Sequence, residues 1–229
     1  TWILFHLLVR GGNRRRALAL LVGASLVYYG WWSPKYLLLI LPLLGVDFLL
    51  AKALLRLRTR RPGQAKAILR FGIAVNLCAL GYYKYANFFI DNVNQLLGLH
   101  LVLATIILPI GISFFTFQKM AFLVDVSQGK VAQVNLLDYT LFVLFFPQLI
   151  AGPIVHHSEV MPQFRDLKRV SPRLVGLGLT IFTMGLAKKV LLADTAARFV
   201  SPSFDAVTAG SHLNLLGAWT AALAYSAQI

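Results

Sequence analysis

Three stretches of this chain contain no Asp, Glu, Lys or Arg: Leu101 to Gln118, Tyr139 to His157 and Ala206 to Ile229. A helix that crosses the hydrocarbon of a bilayer needs roughly 17–25 mostly apolar residues. Lipid offers no hydrogen bonds to the backbone, so a crossing segment is either a helix or a strand of a closed barrel. Barrel strands alternate apolar and polar residues, whereas Leu37 to Leu44 is apolar without alternation. Charged residues make up 13% of the 229 positions, against about 25% in soluble domains, and the mean hydropathy is +0.71. The fold class these numbers predict is all-α: a polytopic transmembrane helical domain.

The formal net charge of +14 would suit nucleic acid, but the basic residues are not spread over a face. They form short blocks between apolar stretches: Arg10 with Arg14, Arg15 and Arg16; Arg56 to Arg70; and Arg165, Lys168, Arg169 and Arg173. That is the distribution of cytoplasmic loops under the positive-inside bias, and such loops sit well against anionic lipid headgroups. Membrane lipid is therefore an expected partner and nucleic acid is not. The single cysteine, Cys78, lies in an apolar stretch. It can form neither an internal disulfide nor a zinc site. The chain begins at Thr1 and ends at Ile229 inside an apolar run, so residues 1–229 are expected to be part of one membrane domain, cut at both ends.

The alternation of runs and basic blocks sets an expected topology. Trp2 to Val9 is the tail of a first span, and Arg10 to Arg16 an inner loop. Ala17 to Trp32 crosses outward to the aromatic cluster Tyr28, Tyr29, Trp31 and Trp32, which suits a membrane boundary. After the Ser33-Pro34 turn, Tyr36 to Ala51 returns. Lys52 to Arg70 is a basic inner loop, Phe71 to Ile90 crosses again, and Asp91 to His100 is an outer loop without Lys or Arg. Leu101 to Val124 then returns inward, and Ala206 to Ile229 is the last span.

Between these two runs the alternation fails. A crossing at Tyr139 to Val155 would put the basic block Arg165 to Arg173 outside. That segment holds Phe145-Phe146-Pro147-Gln148 and Ala151-Gly152-Pro153, and two prolines and a glycine are poor material for a continuous rod. It is expected to be re-entrant: it enters, breaks between Pro147 and Pro153, and leaves on the same side. Broken backbone at membrane depth survives only when buried in protein or lining a wet cavity.

Charges within spans are costly, which singles out Asp47, Lys84 and Lys119. Asp47 and Lys84 are near enough to a boundary to snorkel or pair. Lys119, beside Gln118, is expected to face a polar interior. Asn76, Gln118 and Gln148 suit interhelical hydrogen bonds. His156 and His157 are adjacent and point different ways, so they make no helical metal pair. One of them could act as a base. His212 is expected to pack within the last span. No metal site, nucleophile elbow, phosphate loop or dinucleotide fingerprint is present.

Three ordered blocks carry a resemblance. Leu108-Pro109-Ile110-Gly111-Ile112-Ser113-Phe114-Phe115-Thr116-Phe117-Gln118 comes first. Leu137-Asp138-Tyr139 follows, with Phe145-Phe146-Pro147-Gln148-Leu149-Ile150-Ala151-Gly152-Pro153-Ile154. The third is Gly185-Leu186-Ala187-Lys188-Lys189-Val190 with Ala193-Asp194. Together with Tyr29-Gly30-Trp31 and Tyr82-Tyr83-Lys84-Tyr85, they resemble the membrane-bound O-acyltransferase family, nearest its alginate O-acetyltransferase subgroup, with the teichoic-acid D-alanyl transfer protein more distant. In that subgroup a basic residue often follows the Ala-Gly-Pro-Ile block; His156 and His157 stand there in this chain.

The resemblance implies transfer of an acyl group, acetyl in this branch, to hydroxyls of an exported polysaccharide such as alginate or cellulose. It also implies residence in the bacterial inner membrane, a ring of tilted helices around a funnel, and periplasmic polysaccharide-modifying partners. No bound cofactor is implied, and acetyl-CoA is the candidate acyl donor. The family's catalytic histidine lies in a Trp-His-Gly block that has no counterpart in residues 1–229. No catalytic residue is assigned here. The residues expected to line the channel are Ser113, Thr116, Gln118, Lys119, Gln148, Gly152, Pro153 and His156. Competing readings are a transporter or flippase, since broken helices also build transport sites, and a membrane scaffold for periplasmic proteins.

Overall fold

The computed structural model describes residues 1–101, 106, 108–149, 155–166 and 171–228, the side chains of Trp32 and Arg165 excepted. Among the described residues the regular structure is entirely helical, with ten α-helices and one π-helical turn. Among the described residues three helices are long and apolar enough to cross a membrane: Pro34–Leu57, Pro62–Leu97 and Pro172–Thr208. The chain is an all-α membrane domain. It divides into two compact units, Thr1–Leu167 and Lys168–Ile229.

In the first unit, α1 (Trp2–Arg10) and α2 (Arg14–Trp32) are joined by the Gly11-Gly12-Asn13 turn, flanked by arginines. Ser33 is extended and Pro34 opens α3 (Pro34–Leu57), where its missing N–H costs nothing. Pro62 does the same for α4 (Pro62–Leu97). At 24 and 36 residues, α3 and α4 reach about 36 and 54 Å, longer than the roughly 30 Å hydrocarbon layer. The loop between them is much shorter than Lys52 to Arg70, because Lys, Arg, Leu and Ala continue a helix as readily as an apolar run does.

The region expected to form the outer loop differs as well. Asp91 to Leu97 continues α4, which stops at Gly98 in the left-handed conformation, φ 62°. Asn94 then ties the exit, its side chain bonding both the N–H and the carbonyl of Leu101. The helix predicted over Leu101 to Val124 is α5 (Ile112–Ser127), 16 residues long. Gly111 precedes it at φ 72°, and Pro109 cannot donate to a preceding turn. These two residues set where the helix begins.

Short helices complete the unit: α6 (Leu136–Leu144) and α7 (His157–Arg165). The Asn135 side chain caps α6 by accepting from the Leu137 N–H. The core lies among α3, α4, α5 and α6, with Phe122 at its centre. Its ring meets Tyr139 at 4.9 Å, Phe142 at 5.9 Å and, edge-on, His157 at 5.8 Å between centroids. At Gly72 a Cβ would come within 3.0 Å of both Leu50 and Leu123 side chains. The missing side chain thus lets α3, α4 and α5 approach closely, as small residues do at membrane helix contacts.

In the second unit α8 (Pro172–Ala187), the π turn Lys188–Ala193 and α9 (Asp194–Thr208) form one continuous helix. Ser171 caps it, accepting from Leu174 N–H. Lys189 pairs with Asp194 across the π turn at 2.8 Å. The run Ala206 to Ile229 is not one span: the chain breaks at Ala209 to Asn214, with Gly210 at φ 89°, before α10 (Leu215–Gln228). Asn214 accepts from the Gly217 N–H at 2.7 Å, an N-cap that competes with helix continuation. His212 therefore lies in an exposed connection rather than within a helix.

Candidate functional site

The site is built around one arginine. Arg14 is the first residue of α2. Its Nη2 donates to Asp138 Oδ1 at 3.1 Å, at the start of α6. Its Nε donates to the Phe164 carbonyl at 2.8 Å, at the end of α7. The planar guanidinium presents both donors in a fixed fork, so one side chain holds the entry and the exit of the broken segment. The chain from Asp138 to Phe164 therefore leaves and returns to the same end of α2.

The same end collects other chain termini. Arg58, the C-cap of α3, donates to the carbonyls of Val126 and Val131 at 3.2 and 3.1 Å. Asp125 near the end of α5 bonds His157 Nδ1 at 3.0 Å through Oδ2 and Lys130 Nζ at 3.2 Å through Oδ1. His157, the first residue of α7, is buried against Phe122. Both ends of α7 are thus held at this basic end of the unit, and α7 lies across it.

Away from that end the segment turns. After α6, Phe145 accepts from the N–H groups of Gln148 and Leu149, closing a turn around Pro147. Phe146 N–H donates to Ser25 Oγ at 3.2 Å. Ser25 lies eleven residues along α2 from Arg14, about 16 Å at helical rise. The Leu149 carbonyl approaches Gly111 so closely that a Cβ there would lie 2.5 Å from it. Tyr29 Oη donates to the Ile110 carbonyl at 3.2 Å. The tip of the broken segment is therefore packed against the start of α5. Residues 150–154, and with them Gly152 and Pro153, lie outside the described residues.

A groove of about 470 Å³ runs beside this tip. Its walls include Trp2 and Phe5 of α1, Leu21 of α2, Gln148 of the tip, and Val160 and Phe164 of α7. Gln148 Nε2 is buried without a hydrogen-bond partner. Ser113 lines a separate cavity of about 340 Å³ formed by Leu108 to Phe114.

The other singled-out residues go elsewhere. Thr116 is buried in the core, and Gln118 Nε2 donates to the Phe142 carbonyl at 3.0 Å, tying α5 to α6. Lys119 Nζ lies 3.0 Å from Asp47 Oδ2, with both side chains almost wholly buried. Asn76 donates to the other Asp47 oxygen at 2.8 Å. His156 is exposed, 4.0 Å from Asp125. Lys84 is exposed and sits over the Tyr85 ring at 5.3 Å. Asp125, Asp138 and Arg14 were not candidates on sequence. The Asp125–His157 and Arg14–Asp138 contacts span 32 and 124 positions, and no local spacing signals such pairs. Among the described residues no group of three or more His, Cys, Asp or Glu could hold a metal.

An all-α membrane domain with a broken segment turned back inside it is the class this arrangement defines. The model of the membrane-bound O-acyltransferase family matches residues 75–226, and the chain belongs to that family. It is 39% identical to the peptidoglycan O-acetyltransferase of Helicobacter pylori, over 91% of this chain and 44% of the relative. It is 38% identical to the "Probable alginate O-acetylase AlgI" of Pseudomonas aeruginosa, over 95% of this chain and 42% of the relative. A more distant relative, 22% identical over 69% of this chain and 37% of its own length, is the teichoic acid D-alanyltransferase of Lacticaseibacillus rhamnosus. The chain thus spans less than half the length of the curated relatives it matches. No solved structure matches it.

Proposed function

We propose that this chain is the N-terminal part of a multi-pass inner-membrane O-acetyltransferase that esterifies hydroxyls of a glycan outside the cytoplasm. The observation that carries the reading is the Arg14 clamp on Asp138 and Phe164, which builds a hairpin reaching into the domain within a chain of this family. Irregular backbone at that depth is tolerated where it lines a protein interior or cavity. Two relatives at 38–39% identity carry names with a sugar polymer as acceptor, peptidoglycan or alginate. The distant relative transfers a D-alanyl group instead.

The chemistry required is simple. The acceptor oxygen attacks the acyl carbonyl, a base takes the hydroxyl proton, and the thiolate of the donor leaves. With acetyl-CoA as donor, its phosphates would meet the basic end that holds Arg58 and Lys130. The base is the family's histidine, outside residues 1–229. Ser113 and Gln148, which line the two cavities, supply wall and polar contacts, and periplasmic modification proteins complete the pathway.

Deleting the gene and measuring alkali-labile acetate on exported polysaccharide and on peptidoglycan tests the reading. Loss of acetate from one of the two polymers, restored by the intact gene, is expected. Unchanged acetate on both would overturn it.

A further inference from the structure

The groove beside the hairpin has apolar walls that the acyl-transfer reading leaves without an occupant. Its walls are largely aromatic and aliphatic, with Leu21, Val160 and Phe164 among them. One of these, Phe164, gives its carbonyl to Arg14. The apolar groove and the guanidinium are therefore one peptide unit apart. The Arg14 side chain remains 40% exposed although it is paired with Asp138. Arg10, Arg15 and Arg16 beside it are exposed and make no ion pair among the described residues. An apolar slot with a half-exposed guanidinium bonded to one of its wall residues, and open arginines next to it in sequence, matches a lipid that carries an acyl chain and an anionic phosphate.

We infer that this groove seats one acyl chain of an anionic phospholipid, with the headgroup phosphate against Arg14 and the neighbouring Arg10, Arg15 and Arg16. Charge complementarity selects the anionic class: clustered arginines at a membrane surface attract anionic lipid and gain little from a zwitterionic headgroup. The lipid would pack against Phe164 and Val160 and brace α7. It acts as a structural wedge for the hairpin, whatever acyl group the enzyme transfers.

The test uses the full-length protein in nanodiscs doped with phosphatidylglycerol, or with phosphatidylcholine, carrying a photoreactive diazirine on the acyl chain. Labelled peptides are mapped by mass spectrometry. Phosphatidylglycerol should label the peptides bearing Leu21 and Val160 to Phe164 well above phosphatidylcholine. Arg15→Gln with Arg16→Gln should lower that preference by about fivefold per arginine. Gln163 is exposed on the groove's rim, so Gln163→Trp should block the groove without touching the core. Labelling at the groove should then fall, while labelling of Phe88 and Phe89 on α4 is unchanged. Equal labelling by the two lipids, labelling indifferent to Gln163→Trp, or no lipid labelling because another protein segment covers the groove, would each overturn the inference.

Discussion

The Lys119 ammonium on α5 and the Asp47 carboxylate on α3 lie 3.0 Å apart, with 0% and 1% of their side chains exposed. The contact is an ion pair by distance, without a well-aligned hydrogen bond. Asn76 on α4 donates to the second Asp47 oxygen and also to the Gly72 carbonyl, at 2.8 and 2.9 Å. Three helices are fixed in register by this group. In a low-dielectric interior such a pair gains little over well-packed apolar residues, yet breaking it strands a charge.

Lys119→Met should therefore destabilise the domain by about 3–5 kcal/mol, because Asp47 is left buried and uncompensated. Combining it with Asp47→Asn should recover most of the loss, since the new amide oxygen still accepts from Asn76. Thermal melts of the detergent-purified full-length protein read both effects. A double variant no more stable than Lys119→Met alone would contradict this account of the pair.

Arg14→Gln should loosen the hairpin. It removes a charged hydrogen bond to Asp138, which is nearly buried, and the bond to the Phe164 carbonyl. Hydrogen bonds of charged groups are worth about 1.5–3 kcal/mol, so limited proteolysis should cut the segment faster and the proposed O-acetyl transfer should fall several-fold. Arg14→Lys should rescue little, because an ammonium cannot present the two donors in the same fork. Full activity in Arg14→Lys would show that charge alone matters there.

Gly111→Ala should be among the most damaging substitutions for its size. The residue sits at φ 72°, and its new Cβ would lie 2.5 Å from the Leu149 carbonyl. Left-handed backbone at a non-glycine costs on the order of 1–3 kcal/mol, and the clash pushes the hairpin tip off α5. Gly23→Ala, inside α2 with nothing within 4 Å, should instead be neutral or stabilising by up to about 1 kcal/mol. Comparing melts of the two variants separates the local effect from a general intolerance of added methyl groups.

His157→Ala should cost about 1–3 kcal/mol, the penalty of leaving a buried acceptor short of a partner. Asp125 would keep Lys130 but lose its 3.0 Å contact. Limited proteolysis should then cut α7 faster, while cleavage within α10 is unaltered. Equal protection of α7 in both proteins would show that His157 does not anchor it.

The sequence made the helices legible where apolar length decides, as in α2, α3 and α4. Pro147 marked where a rod could not continue, while Gly152 and Pro153 lie outside the described residues. The failures have physical causes. Asp91 to Leu97 is polar but joins α4 because Asn and Asp on an exposed face need not stop a helix already propagating. The start of α5 and the break before α10 depend on backbone at Gly111 and Gly210, where glycine permits a turn without requiring one. Of the candidate channel residues, Thr116, Gln118 and Lys119 face the core, while Gln148 lines the groove. Polarity alone does not say whether a side chain in a span meets a cavity or another helix. Arg14 with Asp138, and Asp125 with His157, are tertiary pairs that only the folded chain brings together.

The central claim is that the chain from Asp138 to Phe164 enters and leaves on one side. Gln128 and Asp166 are both exposed and flank that segment. In a Cys78→Ser background, single cysteines at these two positions should react with a membrane-impermeant maleimide from the same side of the membrane, the cytoplasmic one. Reaction of Gln128→Cys from the cytoplasm and Asp166→Cys from the periplasm would mean the segment crosses, and would contradict the hairpin.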